Sequence, residues 1–158
     1  MTDPRYHDRL DHAANSADPR LHAPATQRNR QAILDVLLRL LPASGTVLEL
    51  ASGTGEHAVW FAQHLRPLVW QPSDADPTMR ASIDAHARAL EVRTIRPAIA
   101  LDVTNTPWPV DRMDALVCIN LLHIAPWPAT EGVFAGAAQV LPAEAPLAIY
   151  GPFKRDSR

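Results

Sequence analysis

The chain has a single cysteine, Cys118, so it can form no intrachain disulfide and no thiolate-based structural zinc site. That scarcity fits a reducing compartment, and a cytoplasmic location is the expectation. An excess of one charge is missing too. Fifteen basic residues against seventeen acidic ones leave a net charge of −2, which removes the electrostatic case for nucleic acid or a membrane surface as partner. No apolar run approaches the roughly 20 residues that span a bilayer. The opening Met1-Thr2-Asp3-Pro4-Arg5 lacks the apolar centre of a signal peptide. Seven histidines are scattered without a cluster, so no metal site is expected. There is no G-x-S-x-G elbow around Ser52, which argues against a serine hydrolase.

What is present is an ordinary globular composition over 158 residues, enough for one domain with a core. Residues 1–24 are polar and rich in His, Asp and Pro, and are expected to form a flexible arm ahead of a domain over 25–158. The apolar face Ile33, Leu34, Leu37, Leu38, Leu40 and Leu41 predicts a helix from Thr26 to Leu41, ended by Pro42 and Gly45. Strands are then expected at 46–50, 68–71, 97–101, 114–119 and 146–150, with helices at 56–65, 77–90 and 130–141. This alternation predicts an α/β fold, a mainly parallel Rossmann-like sheet flanked by helices and joined by right-handed crossovers. The segment 104–109, Thr-Asn-Thr-Pro-Trp-Pro, reads as a loop at the ligand-binding end of the sheet.

The most telling stretch is Thr46-Val47-Leu48-Glu49-Leu50-Ala51-Ser52-Gly53-Thr54-Gly55-Glu56-His57. A buried strand runs into a glycine turn and then a helix, where a nucleotide-like cofactor docks in α/β proteins. With Ala58 in the third glycine's place, the pattern alone does not exclude NAD. Glu49 in the strand and Glu56 at the helix start put negative charge where a pyrophosphate would bind, and so favour a cationic, phosphate-free ligand. S-adenosylmethionine (SAM) is such a ligand. About 20 positions after the glycines, a carboxylate is expected on the ribose hydroxyls. Asp74 is the first candidate and Asp76 the second, with Asp76 also able to cap a helix opened by Pro77.

The pattern E-x-x-x-G-x-G resembles the first motif of class I SAM-dependent methyltransferases. A closer likeness is carried by VLELASGTGEHAVWFAQHL, WQPSDAD, LDVTNTPWP, CINLLHIAPW and YGPFKRDSR, together with PATQRNRQAIL from residue 24. These look like the methyltransferase-like protein 26 family, which carries a domain of unknown function numbered 938. The resemblance implies a SAM-dependent methyltransferase with a small-molecule acceptor of unidentified kind. It implies cofactor contacts from Glu49, Ala51, Ser52, Gly53, Thr54, Gly55 and His57 in and around the loop. It further implies contact of Asp102 with the adenine amino group and of Val103 with the base, and a pocket role for Arg28 and Asn29, with Arg28 on the SAM carboxylate. Asn120 and His123, after the fourth strand, are expected nearest the transferred methyl: Asn120 to orient the acceptor, and His123 to take its proton.

The sequence ends just after the fifth strand. Strands six and seven of the full fold are therefore expected to be missing, which leaves the fifth strand an apolar edge: either the chain is a fragment or truncated product, or another copy or a partner covers that edge. Two other readings stay open: a non-catalytic SAM-binding or interaction module, and an NAD-linked oxidoreductase.

Overall fold

A computed structural model describes residues 11–12 and 17–155. Val47 to Leu50 and Ala115 to Ile119 are buried without a break, as strands covered on both faces must be. They are β3 (Thr46–Leu50) and β6 (Ala115–Ile119), the centre of a five-stranded sheet with β4 (Val69–Asp74), β5 (Ile99–Ala100) and β7 (Leu147–Tyr150). The order is β5-β4-β3-β6-β7, and every pairing is parallel. A separate antiparallel pair joins β1 (Asp11–His12) to β2 (Leu21–His22).

Alternation along the strands divides the core. Val47 and Val117 face Ile33, Leu37, Val59, Phe61 and Trp70, contributed largely by α1 (Pro24–Leu40) and α2 (Glu56–His64). Leu48, Leu50, Leu116 and Cys118 face Val133, Ala137 and Val140 of α4 (Trp127–Val140). Leu48, Leu50 and Leu116 are fully buried, and each contributes roughly 1.5–3 kcal/mol. The remaining helix, α3 (Pro77–Ala89), lies beside α2 and β4. Among the described residues no helix is long and apolar enough to cross a membrane.

The chain departs from the expected element bounds mainly beside prolines. Helix α1 begins at Pro24, ahead of Thr26, and α4 begins at Trp127, ahead of residue 130; each has a proline in its first turn, where the missing N–H costs nothing. Strand β4 runs on to Asp74 because Pro72 pairs with Glu49, and Ser73 with Ile99. Strand β5 shrinks to Ile99–Ala100. Pro97 just before it has no N–H to give, and the Gln71 side-chain amide bonds the carbonyls of Pro72 and Pro97, each at 3.0 Å.

Most of the expected arm lies outside the described residues, but its last part is packed rather than free. Leu21 is buried beside Met79, and its N–H donates to Ser82 Oγ at 2.9 Å. The Ala23 N–H donates to Glu56 Oε2 at 2.7 Å.

Candidate functional site

The sheet changes direction between β3 and β6: from β3 the chain winds outward through β4 to β5, then returns to the other side. Ligands in open α/β sheets bind outside the carboxyl ends of the strands at such a point. A cavity of about 360 Å³ opens there, within the usual range for small-molecule sites.

Its floor is built from strand ends. Ala51 leaves β3 with φ 49°, and Gly53 and Gly55 follow with φ 58° and 92°. A Cβ on Gly55 would stand 2.5 Å from Ile83 Cα, so a side chain has neither the room nor the backbone geometry there. Asp74, ending β4, clamps the turn: Oδ2 accepts from Gly53 N–H at 3.0 Å and Oδ1 from Asp76 N–H at 2.9 Å. Burial pushes its pKa up, and the two backbone donors pull it back. Asp76 caps α3 by accepting from Thr78 N–H at 2.7 Å. The loop is further tied down by Ser52, whose N–H donates to Ser73 O at 2.9 Å.

The sequence candidates separate into three groups. Ala51, Gly53, Asp74, Asp102, Val103 and Asn120 line the cavity, as does Asp76. Asp102 is exposed; its Oδ1 accepts from the Thr104 N–H at 2.9 Å and the Thr104 hydroxyl at 2.8 Å, and its Oδ2 lies 3.5 Å from Asn105 Nδ2. Asn120 follows β6 directly with φ 56°, and its N–H donates to Tyr150 O at 2.8 Å. A left-handed residue without a glycine's freedom is local strain held at the rim.

A second group lies beneath or behind the loop. Glu49 is 2% exposed and does not reach the cavity; its Oε2 accepts from Trp70 Nε1 at 2.6 Å. Burial raises its pKa to about 8, against the Trp70 and Ser52 hydrogen bonds, with the Asp74 charge adding a little. A protonated Glu49 contributes no negative charge to the site at neutral pH. Glu56 faces the N-terminal segment, its Oε1 3.1 Å from His22 Nδ1 and its Oε2 3.2 Å from Thr54 Oγ1. Both carboxylates that were expected to repel a pyrophosphate are therefore spent on the protein itself. Ser52, Thr54 and Gly55 are buried within the turn.

The third group belongs elsewhere. His57 Nε2 and Asn29 Oδ1 are 2.8 Å apart and tie α2 to α1, and the imidazole stacks on Phe61. Burial drives the His57 pKa down to about 4. Arg28 is exposed and does not line the cavity. His123 lines a different cavity of about 690 Å³, with Trp127, Phe134, Tyr150 and Phe153, and so is parted from Asn120. The turn at Leu121–Leu122 separates the two spaces, with Leu121 on one side and Leu122 on the other.

Sequence reasoning missed the apolar wall formed by Met79, Leu121, Ile124, Ala125, Pro126, Pro128 and Ala129. The available signal was Pro126-Trp127-Pro128, which begins a helix rather than a loop.

With its parallel sheet and flanking helices, this is the Rossmann-like fold of class I methyltransferases. Solved structures similar to it include the PH0226 protein from Pyrococcus horikoshii OT3 (16% identity, TM-score 0.68, 82% of this chain and 59% of that one). Another is a SAM dependent methyltransferase from Aquifex aeolicus (17%, TM-score 0.63, 84% of this chain and 71% of that one). A third is coclaurine N-methyltransferase bound to N-methylheliamine and SAH (17%, TM-score 0.63, 76% of this chain and 35% of that one). The chain spans 35% to 71% of the length of these structures. A family model described as protein of unknown function (DUF938) matches residues 20–158, and the chain belongs to that family.

Proposed function

We propose that this cavity binds S-adenosylmethionine and that the chain serves methyl transfer to a small-molecule acceptor, as the resemblance to methyltransferase-like protein 26 implies. The observation that carries the reading is the lining: Asp74, Asp76 and Asp102 contribute carboxylates, and among the described residues no lysine, arginine or histidine lines the cavity. A cation without phosphates suits that wall. A pyrophosphate would meet three aspartates, and the Gly53 N–H it would need already donates to Asp74. This, rather than Glu49 or Glu56, is what speaks against NAD.

When bound, the cofactor supplies a methyl group activated on sulfonium. Asp74 is the residue to hold the ribose hydroxyls, trading its backbone donors for them. Leu101 and Val103 offer an apolar flank for the base. Asp102 Oδ1 is held in the Thr104 turn, so Oδ2, 3.5 Å from Asn105 Nδ2, is the oxygen to accept from the adenine amino group. Asn120, strained just past β6, is placed to orient an acceptor. The placement of His123 in the other cavity favours a second reading, a SAM-binding module without its own general base. A cytoplasmic setting belongs to the same proposal, supported by the lone buried cysteine.

Calorimetric titration with S-adenosylhomocysteine and with NAD tests the reading. The first should bind and the second should not. Asp74→Asn should weaken the first about 10- to 100-fold, since hydrogen bonds to a charged group are worth ~1.5–3 kcal/mol. Binding of NAD with silence from S-adenosylhomocysteine would end the proposal. If S-adenosylhomocysteine binds but a screen of small-molecule acceptors shows no methyl transfer, the module reading prevails.

A further inference from the structure

We infer that residues 20–23 are a strap whose docking sets the glycine loop and one wall of the cavity, so that strap order and ligand occupancy rise together. The coupling to a ligand rests on the SAM-site reading above; the coupling to the loop does not.

Ser82 is 0% exposed and is the joint of this device. Its Oγ accepts from the Leu21 N–H at 2.9 Å and donates to the Thr54 carbonyl at 2.7 Å, between Gly53 and Gly55. One hydroxyl thus links strap to loop, with both its bonds made inside the protein. A second link runs through Glu56, where Oε2 accepts from the Ala23 N–H at 2.7 Å and from the Thr54 hydroxyl at 3.2 Å. A third is apolar: the Leu21 side chain packs on Met79, and Met79 lines the cavity. The strap is held from behind by His86, whose Nε2 lies 2.8 Å from Leu21 O.

A four-residue segment is therefore linked to the loop at Thr54 through Ser82 and Glu56, and packs on the wall at Met79, without itself lining the site. Freeing it takes the Leu21 N–H from Ser82 Oγ and the Ala23 N–H from Glu56 Oε2, the two groups that hold Thr54, and unseats Met79. By linkage, any ligand that needs the set loop tightens the strap by the same factor that the strap tightens the ligand. Ser82 and Glu56 are positioning residues.

Amide hydrogen exchange on the full chain is the test. Ser82→Ala should speed exchange at Leu21, Ala23, Gly53 and Gly55 together by about tenfold or more, while Leu116 and Cys118 in β6 keep their rates. Leu21→Ala, which leaves the serine in place, should do the same through Met79. Faster exchange at Leu21 with Gly53 and Gly55 unmoved overturns the strap. With S-adenosylhomocysteine as probe, Leu21 and Ala23 in the unaltered protein should slow, and Ser82→Ala should lose affinity by about tenfold. Should the probe bind while Leu21 and Ala23 keep their rates, the ligand coupling is wrong. Should it release no heat while the four amides still move together, the SAM reading fails and the strap stands.

Discussion

Replacing Glu49 by glutamine should abolish a fall in stability that the unaltered protein shows as pH rises from about 5 to 8. The glutamate is 2% exposed, with its pKa pushed up from 4.5 to about 8, chiefly by burial. In the unfolded chain the carboxyl loses its proton near the ordinary value; in the folded one it keeps it. The unfolded state then binds fewer protons than the native state across the window, so stability falls with pH. The contribution is whole below the unfolded value and is lost as pH rises through the folded one. At ~1.4 kcal/mol per pH unit, three units cost about 4 kcal/mol, a large share of a typical domain's stability. A urea slope of roughly 2 kcal/mol per molar turns that into a midpoint about 2 M lower at pH 8 than at pH 5. Glutamine keeps an acceptor for the Trp70 indole and carries no proton to lose. Its midpoint should stay nearly level relative to the unaltered protein. Other titrations occur in both chains and cancel in the difference. Parallel midpoint-versus-pH curves for the two proteins would show that Glu49 is ionised in the fold and would refute the reasoning.

His57 predicts the opposite slope at lower pH. Its pKa, lowered from 6.5 to about 4, makes the neutral ring part of the fold, so its contribution is present above 6.5 and is lost as pH falls toward 4. His57→Gln should blunt that loss of ~3 kcal/mol, read from urea midpoints between those pH values; an unchanged acid slope would contradict it. Gly136→Ala should destabilise the protein by ~1–3 kcal/mol through overpacking, since its Cβ would overlap the Trp108 ring. Because the Trp108 indole donates to Val103 O at 3.2 Å, the same change should loosen the cavity wall at Val103 and weaken S-adenosylhomocysteine. An unshifted thermal midpoint would mean that the ring has room to move.

The sheet was legible because Val47–Leu50 and Ala115–Ile119 are runs that suit only strands buried on both faces, and Gly53 and Gly55 then fix the turn. Asp74, Asp102, Val103 and Asn120 were readable for a related reason: each stands at or just past a strand's carboxyl end, and a parallel sheet gathers those ends at one rim. Direction of a side chain is a different matter. Glu49 lies between Leu48 and Leu50, and whether it looks into the cavity or into the core depends on the pleat and on Trp70, twenty-one positions away. His123 lies only three residues past Asn120, yet the intervening turn puts it in another cavity. The roles of Ser82 and Leu21 could not be read at all, since a serine and a leucine sixty-one positions apart have no local pattern to mark them.

The same side-chain chemistry thus does two kinds of work around one loop, and solvent decides which. Glu49 is fully enclosed, so its charge is suppressed and its acceptor atoms serve packing. Glu56 is enclosed more loosely and finds donors in the strap and in Thr54, so it fixes geometry. Asp74 alone among the three joins both kinds: it holds Gly53 and Asp76 while facing the cavity. A ligand that offers hydroxyls can take over the bonds Asp74 now makes without uncovering a buried charge, whereas one that brings phosphates must first displace an aspartate from the Gly53 amide. Ligand choice in this site thus rests on the exchange of Asp74's hydrogen bonds together with the charge of the three carboxylates that line it.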